Sequence, residues 1–463
     1  MLNKKILQVK TSQGAQGINV SLRGKNYKIE YPKKIWQKTP AALRSFLLDN
    51  LAFAETHWLP VMLNEKKIAY NTALPLLEPF LFKNQLYDML YCEKADSAPH
   101  LSYLKRFYNT EFVFNGQKTS LPDWPVKKNQ ATTTTAPTAI LPFTFGKESL
   151  ATLALCLELG IKPILFYCQE PSQSYEQKYK LKKLKELKAR FNIDSVFVKH
   201  EPGLFRYGKA FKLRKVSDLG WGTQISLLAL LSLPFVLASR ASYVLVGNEY
   251  LNNEMWFKNG WKVFPSFDQT SQMTSGQNTM FSALTAGQCG VKSSLEPLEE
   301  IHIFYLLHRR YPELGKYQFS CSAEEPLAKG SAWCHACYKC ARIYLFARAL
   351  GFDPAALGFK ENLLDKMDLW KHYFGSKVKT GAVIELDFSF YILYFKGDQS
   401  AAVKVFAKLK KPLIKPWLWY YRHFDRLKSD GNLPSEFRVK MRKIFDRELS
   451  NFKKLIAGYA KVK

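Results

Sequence analysis

The sequence predicts an α/β fold: a doubly wound parallel sheet carrying a Cys₄ zinc knuckle, with a small α+β N-terminal domain and a helical C-terminal segment. Three observations predict it. Strand-like and helix-like runs alternate from residue 139 to about 250. Cys321, Cys334, Cys337 and Cys340 fall in one short region. Beyond residue 352 the pattern is mostly helical.

The organising stretch runs from Thr138 to Tyr167. Ala139 to Phe143 is short, apolar and β-prone, the pattern of a buried strand. A turn, Thr144 to Ser149, leads into helical spacing over Leu150 to Leu159, and Gly160 sits where a left-handed cap would fall. Pro163 then opens a second apolar run, Ile164 to Tyr167. Strand, helix and strand in this order make a βαβ unit and imply a parallel sheet. Ligands of such sheets bind beyond the carboxyl ends of the strands, so the turn is where a phosphate would rest on N–H groups at a helix N-terminus.

Around this unit the chain divides into an N-terminal domain (1–126), a linker (127–138), the α/β domain with its knuckle (139–352) and a basic helical region (353–463). Val9 to Tyr31 alternates like a small antiparallel sheet. Leu43 to Phe53 and Ala73 to Leu90 read as helices, and Phe107 to Asn115 as a strand. Within the α/β domain, Ser174 to Phe191 is a lysine-rich helix and Ser195 to Lys199 the next strand. Gln224 to Ala238 is an apolar helix expected to break in part at Pro234. Ser242 to Val246 is a buried strand that ends in Gly247-Asn248-Glu249. Asn248 to Gly290 reads as a long polar loop, and Leu295 to Arg309 as a helix.

The totals bound the function. With 47% hydrophobic residues the chain can bury a full core. A net charge of +29 points to anionic company: nucleic acid, a membrane surface or phosphorylated substrates. Residues 401–463 hold 17 basic and 5 acidic residues beside Trp417, Trp419, Tyr420, Tyr421 and Phe424, so this region is a candidate nucleic-acid or membrane contact or, equally, a packed amphipathic helix. No apolar run is long enough to span a bilayer, and the expectation is a cytoplasmic protein with no transmembrane segment.

Cys334, Cys337 and Cys340 form CxxCxxC, with Cys321 thirteen residues upstream. Four thiolates suit a closed tetrahedral Zn²⁺ site, which is structural because no position stays open. An iron–sulfur cluster is the alternative, and His335 is a reserve ligand.

The turn itself is neither a Walker motif nor GxGxxG. It resembles the PP-loop of the ATP pyrophosphatases, usually Ser-Gly-Gly-Xaa-Asp-Ser. Thr144 stands for the first Ser, Gly146 for the second Gly, Lys147 for the variable site, Glu148 for the Asp and Ser149 for the last Ser. Phe145 replaces the first Gly, and its side chain would crowd a phosphate if it faced one. A Cys₄ site downstream also resembles the cyano-deazaguanine synthase branch. A wider resemblance, over roughly residues 40 to 395, is to the enzymes that epimerise the terminal glutamate of UDP-N-acetylmuramoyl-L-alanyl-L-glutamate. Pro142 to Ser149, Gly247-Asn248-Glu249, the polar stretch to Gln288, Ser293 to Leu298, Trp333-Cys334 to Cys340 and Gly381 to Phe388 match that family's order of parts.

The resemblance implies a sheet of the HUP/PP-loop type, ATP, Mg²⁺ and Zn²⁺ as cofactors, and a small nucleotide-linked peptide as substrate. It implies cleavage of ATP to AMP and pyrophosphate through an acyl-adenylate, then proton removal and return at Cα. Glu249, Glu254 and Glu385 are its candidates for the base or a Mg²⁺ ligand. An adenylating enzyme acting on a nucleobase or RNA, and a non-catalytic PP-loop binder, are the alternatives.

Overall fold

Apolar β-prone runs bounded by turn residues place the strands, and a computed structural model shows how they pair. It describes residues 6–117, 122, 124, 136–171, 174–213, 217–319, 332–375 and 381–460. Twelve strands occur among the described residues: β1 (Leu7–Gly14), β2 (Gly17–Leu22), β3 (Lys25–Glu30), β4 (Lys67–Tyr70), β5 (Glu111–Phe114), β6 (Thr138–Pro142), β7 (Lys162–Gln169), β8 (Asp194–His200), β9 (Tyr243–Val246), β10 (Trp256–Lys258), β11 (Trp261–Val263) and β12 (Gly290–Ser293). Ten form one mostly parallel sheet in the order β12-β9-β6-β7-β8-β3-β2-β1-β4-β5, and β10 with β11 makes a separate hairpin.

From β12 to β8 every pairing is parallel. The chain leaves β6 for β7 on one side and later returns to β9 on the other. The strand order therefore reverses at β6, and a cleft opens at the carboxyl ends of β6 and β7. Alternate residues of β6 enter two different cores, as the pleat requires. Ala139 and Leu141 pack with Leu153, Phe304 and Leu345 on one face. Ile140 packs with Leu230, Phe235 and Val244 on the other. Helices thus cover both faces, which is why these strands read as unbroken apolar runs.

The expected antiparallel arrangement of residues 9–31 is present as β1-β2-β3, but it extends the main sheet instead of closing on itself. The junction is an antiparallel pairing of β3 with β8, Ile29 opposite His200. Phe107 belongs to the helix Ser102–Tyr108, so the strand expected there begins only at Glu111. Pro234 does not break its helix. Gln224–Ser239 runs through it, and burial of Leu227 to Val236 offsets a penalty of about 3 kcal/mol for an interior proline. The polar stretch 248–290 is not one loop. It holds the β10–β11 hairpin and the helix Ser271–Leu284, capped by Thr270 Oγ1, which accepts from the Met273 N–H at 3.1 Å. Polar residues on its outer face hid a stripe of buried Met273, Gln277, Phe281 and Leu284.

The C-terminal region is helical where described, with Gly381–Phe395, Trp417–Phe424 and Arg438–Ala460 as its main helices. Several of its aromatic residues turn inward, while Trp419 stays 37% exposed. Phe388 stacks on Trp417 at 5.2 Å and Phe424 at 4.4 Å, and Tyr420 donates to Asp387 at 2.9 Å. Trp417, Tyr420 and Phe424 are therefore core residues, closed to a nucleic acid. Among the described residues, no helix is long and apolar enough to cross a membrane. Most of the expected linker, 127–135, lies outside the described residues.

Candidate functional site

The Thr144–Ser149 turn leaves the carboxyl end of β6 and opens the 13-residue helix Lys147–Leu159, which ends on Gly160 at φ 72°, the left-handed cap expected for that position. Phe145 settles a question the residue type left open. Its backbone has φ 62°, the left-handed region that favours glycine. Its ring is fully buried against Phe143, 4.8 Å between centroids, and is not among the residues that line the cleft. The backbone thus keeps a glycine-like turn while the side chain is spent on the core. Phe145→Ala is expected to cost about 3–5 kcal/mol, and Phe145→Gly about 1–2 kcal/mol less because it relieves the positive φ. Chemical denaturation of the two variants checks this order.

The turn is tied to itself through its hydroxyls. Ser149 Oγ donates to the Gly146 carbonyl at 3.0 Å, and Thr144 Oγ1 lies 3.4 Å from the Gly146 N–H. Gly247, after β9, allows this helix to approach: a Cβ there would lie 2.9 Å from Glu148 Cβ and 3.0 Å from the Glu148 carbonyl. The first N–H groups of the helix have no intrahelical acceptor, so the turn offers donors and the positive end of the helix dipole.

Behind the turn lies a buried charge cluster. Lys147 Nζ pairs with Glu148, with Glu300 Oε1 at 2.8 Å and with Glu249 Oε2 at 3.7 Å. Arg342 Nη1 meets the other Glu300 oxygen at 2.8 Å. Burial would strip the proton from Lys147, but Glu148, Glu300 and Glu249 hold it firmly. Burial pushes Glu249 up to about 8, against the pull of Lys147. Burial would raise Glu300, but Arg342 and Lys147 hold it below the usual carboxylate range, so it faces them as a carboxylate at neutral pH. Burial and the neighbouring carboxylates Glu300, Glu299 and Glu249 drive Glu385 well above the usual carboxylate range. It therefore stands protonated behind Glu300, and its Oε1 accepts the Ile301 N–H at 3.0 Å.

Of the residues expected to act together, Thr144, Gly146, Lys147 and Glu148 line one cleft of about 680 Å³. Ser149 lies at the turn, Glu249 pairs with Lys147, and Glu385 supports the cluster from behind. Glu254 sits elsewhere, with His423 Nε2 at 3.4 Å, in a group with Glu299. The sequence reading missed Glu300 and Arg342, which also line the cleft. Paired acids in a helix's first turn and an arginine just after the last cysteine were their only local signals. It also missed Asp88, on the cleft wall with Asp218, Tyr91, Tyr207 and Trp221. Burial, with Asp268 and Asp218 nearby, raises Asp88 to about 7, although it accepts from the Cys92 thiol at 3.2 Å. A cleft of this size suits a nucleotide or a drug-sized ligand.

The cysteine knuckle positions one wall of the cleft. Cys337 Sγ and Cys334 Sγ lie 3.5 and 3.7 Å from Cys340 Sγ. Cys337 caps the helix Tyr338–Leu350, its Sγ accepting the Cys340 N–H at 3.4 Å, and Cys334 Sγ accepts the Ala336 N–H at 3.4 Å. Three converging thiols that accept backbone N–H bonds could hold a metal ion and fit zinc. The fourth expected ligand, Cys321, lies outside the described residues. His335 is not in the converging group, because its Nε2 accepts the Lys360 N–H at 3.0 Å. Tyr338, Lys339 and Arg342 line the cleft from the helix that the knuckle starts. Cys337→Ala is expected to remove one equivalent of bound zinc and to lower the melting temperature. Elemental analysis and a thermal melt test it.

No protein-family model matches the chain, and a search of curated proteins returns no match.

Proposed function

We propose that the chain is an ATP-dependent adenylating enzyme of the HUP/PP-loop type. It converts ATP to AMP and pyrophosphate while activating a carboxylate. The proposed substrate is UDP-N-acetylmuramoyl-L-alanyl-L-glutamate, whose terminal glutamate it epimerises. One observation carries the reading: a hydroxyl-bearing, glycine-like turn at the carboxyl end of the central strand opens a helix onto a cleft at the point where the strand order reverses.

In this reading the substrate carboxylate attacks the α-phosphate, and pyrophosphate leaves into the turn. Backbone N–H groups with the Thr144 hydroxyl receive its charge, the Ser149 hydroxyl holds the turn in shape through the Gly146 carbonyl, and Arg342 lies on the same cleft. Glu148 and Glu249 are the residues that would hold Mg²⁺; the cation would draw the proton from Glu249, and its charge would offset that of the leaving group. Zinc at the knuckle would act only by fixing the helix that presents Arg342. Adenylation removes the substrate's carboxylate charge and acidifies its Cα–H. Asp88, raised toward neutrality on the facing wall, is the base that takes this proton.

Incubation of the nucleotide dipeptide with ATP and Mg²⁺ in D₂O tests the specific form. D-glutamate with deuterium at Cα is expected. Recovery of L-glutamate without deuterium, from protein that cleaves ATP to AMP, would assign a different substrate.

A further inference from the structure

We propose that Cys168 is a nucleophile that takes the activated acyl group from the adenylate as a thioester, with His200 holding its proton and Glu55 positioning His200. The acyl donor rests on the function proposed above; the activation of the thiol does not.

The geometry comes from the strand ends. Pro142 of β6 pairs with Phe166 of β7, and Cys168 follows two residues further along β7, at the same end of the sheet at which the Thr144 turn leaves β6. Cys168 is half-buried and lines the cleft that Thr144 and Lys147 line. Gln169 pairs with Lys199, which brings His200 level with Glu170 beside it. Donor atoms of Cys168, Glu170 and His200 all lie within 4.8 Å of one another. His200 is fully buried. Its Nε2 meets Glu55, itself 2% exposed, and among the described residues its Nδ1 has no hydrogen-bond partner. Nδ1 is the nitrogen on the Glu170 side, 3.4 Å from Glu170 Oε1. The Arg206 guanidinium pairs with that same Glu170 oxygen, and the Cys168 sulfur lies within 4.8 Å of both Glu170 and the imidazole.

Nucleophile, proton holder and orienting carboxylate therefore stand in series, a pattern that activates a thiol. Burial alone would strip the proton from His200, but Glu55 and then Cys168 hold it on up to about pH 10. Among the described residues, Glu170 and the Tyr31 hydroxyl also lie near the sulfur, and the Arg206 guanidinium pairs with Glu170. Other described cysteines are either in the knuckle or fully buried, as Cys92, Cys156 and Cys289 are.

The step balances without a further reactant. The sulfur bonds to the acyl carbon, the bond from that carbon to the AMP oxygen breaks, and AMP leaves with the electron pair. The thiol's proton stays on His200. The thioester keeps the Cα–H acidic, so proton exchange at Cα continues after AMP has gone. Water then bonds to the acyl carbon, the C–S bond breaks, the sulfur–imidazole pair is restored, and both water protons pass to solvent as the carboxylate is released.

Two readouts on the full chain test this. Iodoacetamide labelling, mapped by peptide mass, is expected to modify Cys168 at least tenfold faster at pH 7 than in His200→Gln, with Glu55→Gln intermediate. Equal rates in folded wild type and His200→Gln, matched by circular dichroism, would overturn the activation. Acid quench during turnover is expected to show a hydroxylamine-labile acyl adduct on Cys168. AMP release without an adduct, together with full deuterium exchange in Cys168→Ser, would overturn the thioester. If no AMP forms, the adenylating reading fails by itself and the labelling ratio still decides whether the thiol is activated.

Discussion

Lys147→Met is expected to destabilise the fold by about 3–5 kcal/mol and to abolish AMP formation. Lys147 is 3% exposed, and its ammonium is the cation that Glu148, Glu249 and Glu300 share. Removing one partner of a buried pair costs more than the pair contributes, because the remaining charge stays desolvated. Arg342 would still meet Glu300, but Glu249 would keep only carboxylate neighbours and a more distant arginine. Urea denaturation of the single variant checks the magnitude. A loss below about 1 kcal/mol would show that the cluster is solvated in the folded protein.

Asp88→Asn is expected to keep AMP formation and to slow deuterium exchange at Cα by about 10²–10⁴-fold, the usual contribution of a general base. The wild-type exchange rate should rise with pH through about 7, where Asp88 loses its proton, and this step should vanish in the variant. The effect on stability has the opposite sense. The folded carboxyl is raised to about 7 from its ordinary 3.8, so the native state binds the extra proton between these values. Its contribution is fully present below about pH 4 and is lost as pH rises through 7. Melting temperatures across this range should therefore fall less in Asp88→Asn than in the wild type. An exchange rate with the same pH profile in both proteins would move the base to another group.

Much of the parallel sheet was legible, because strands buried on both faces must be apolar runs and their helices must carry caps. β6, β7, β8 and β9 fell within a few residues of the expected places. The union of β3 with β8 was not legible, since a pairing between residues 29 and 200 leaves no local trace. The sign of φ at Phe145 is likewise absent from the residue type, and only its surroundings show that the ring serves the core. The turn, the knuckle cysteines and Glu249 were visible as motifs. Glu300, Arg342, Asp88 and the Cys168–His200–Glu55 series were not, because each becomes chemical only through neighbours distant in the chain.

The most direct test of the central claim is release of AMP from α-labelled ATP with Mg²⁺. It is run with and without UDP-N-acetylmuramoyl-L-alanyl-L-glutamate, beside Ser149→Ala. AMP that depends on the nucleotide dipeptide and is lost in the variant is the expected result. AMP formed only with RNA or a deazapurine acid would move the substrate to a nucleobase. No AMP under any of these conditions, from folded protein that holds its zinc, would contradict the account and make the turn a binding element alone.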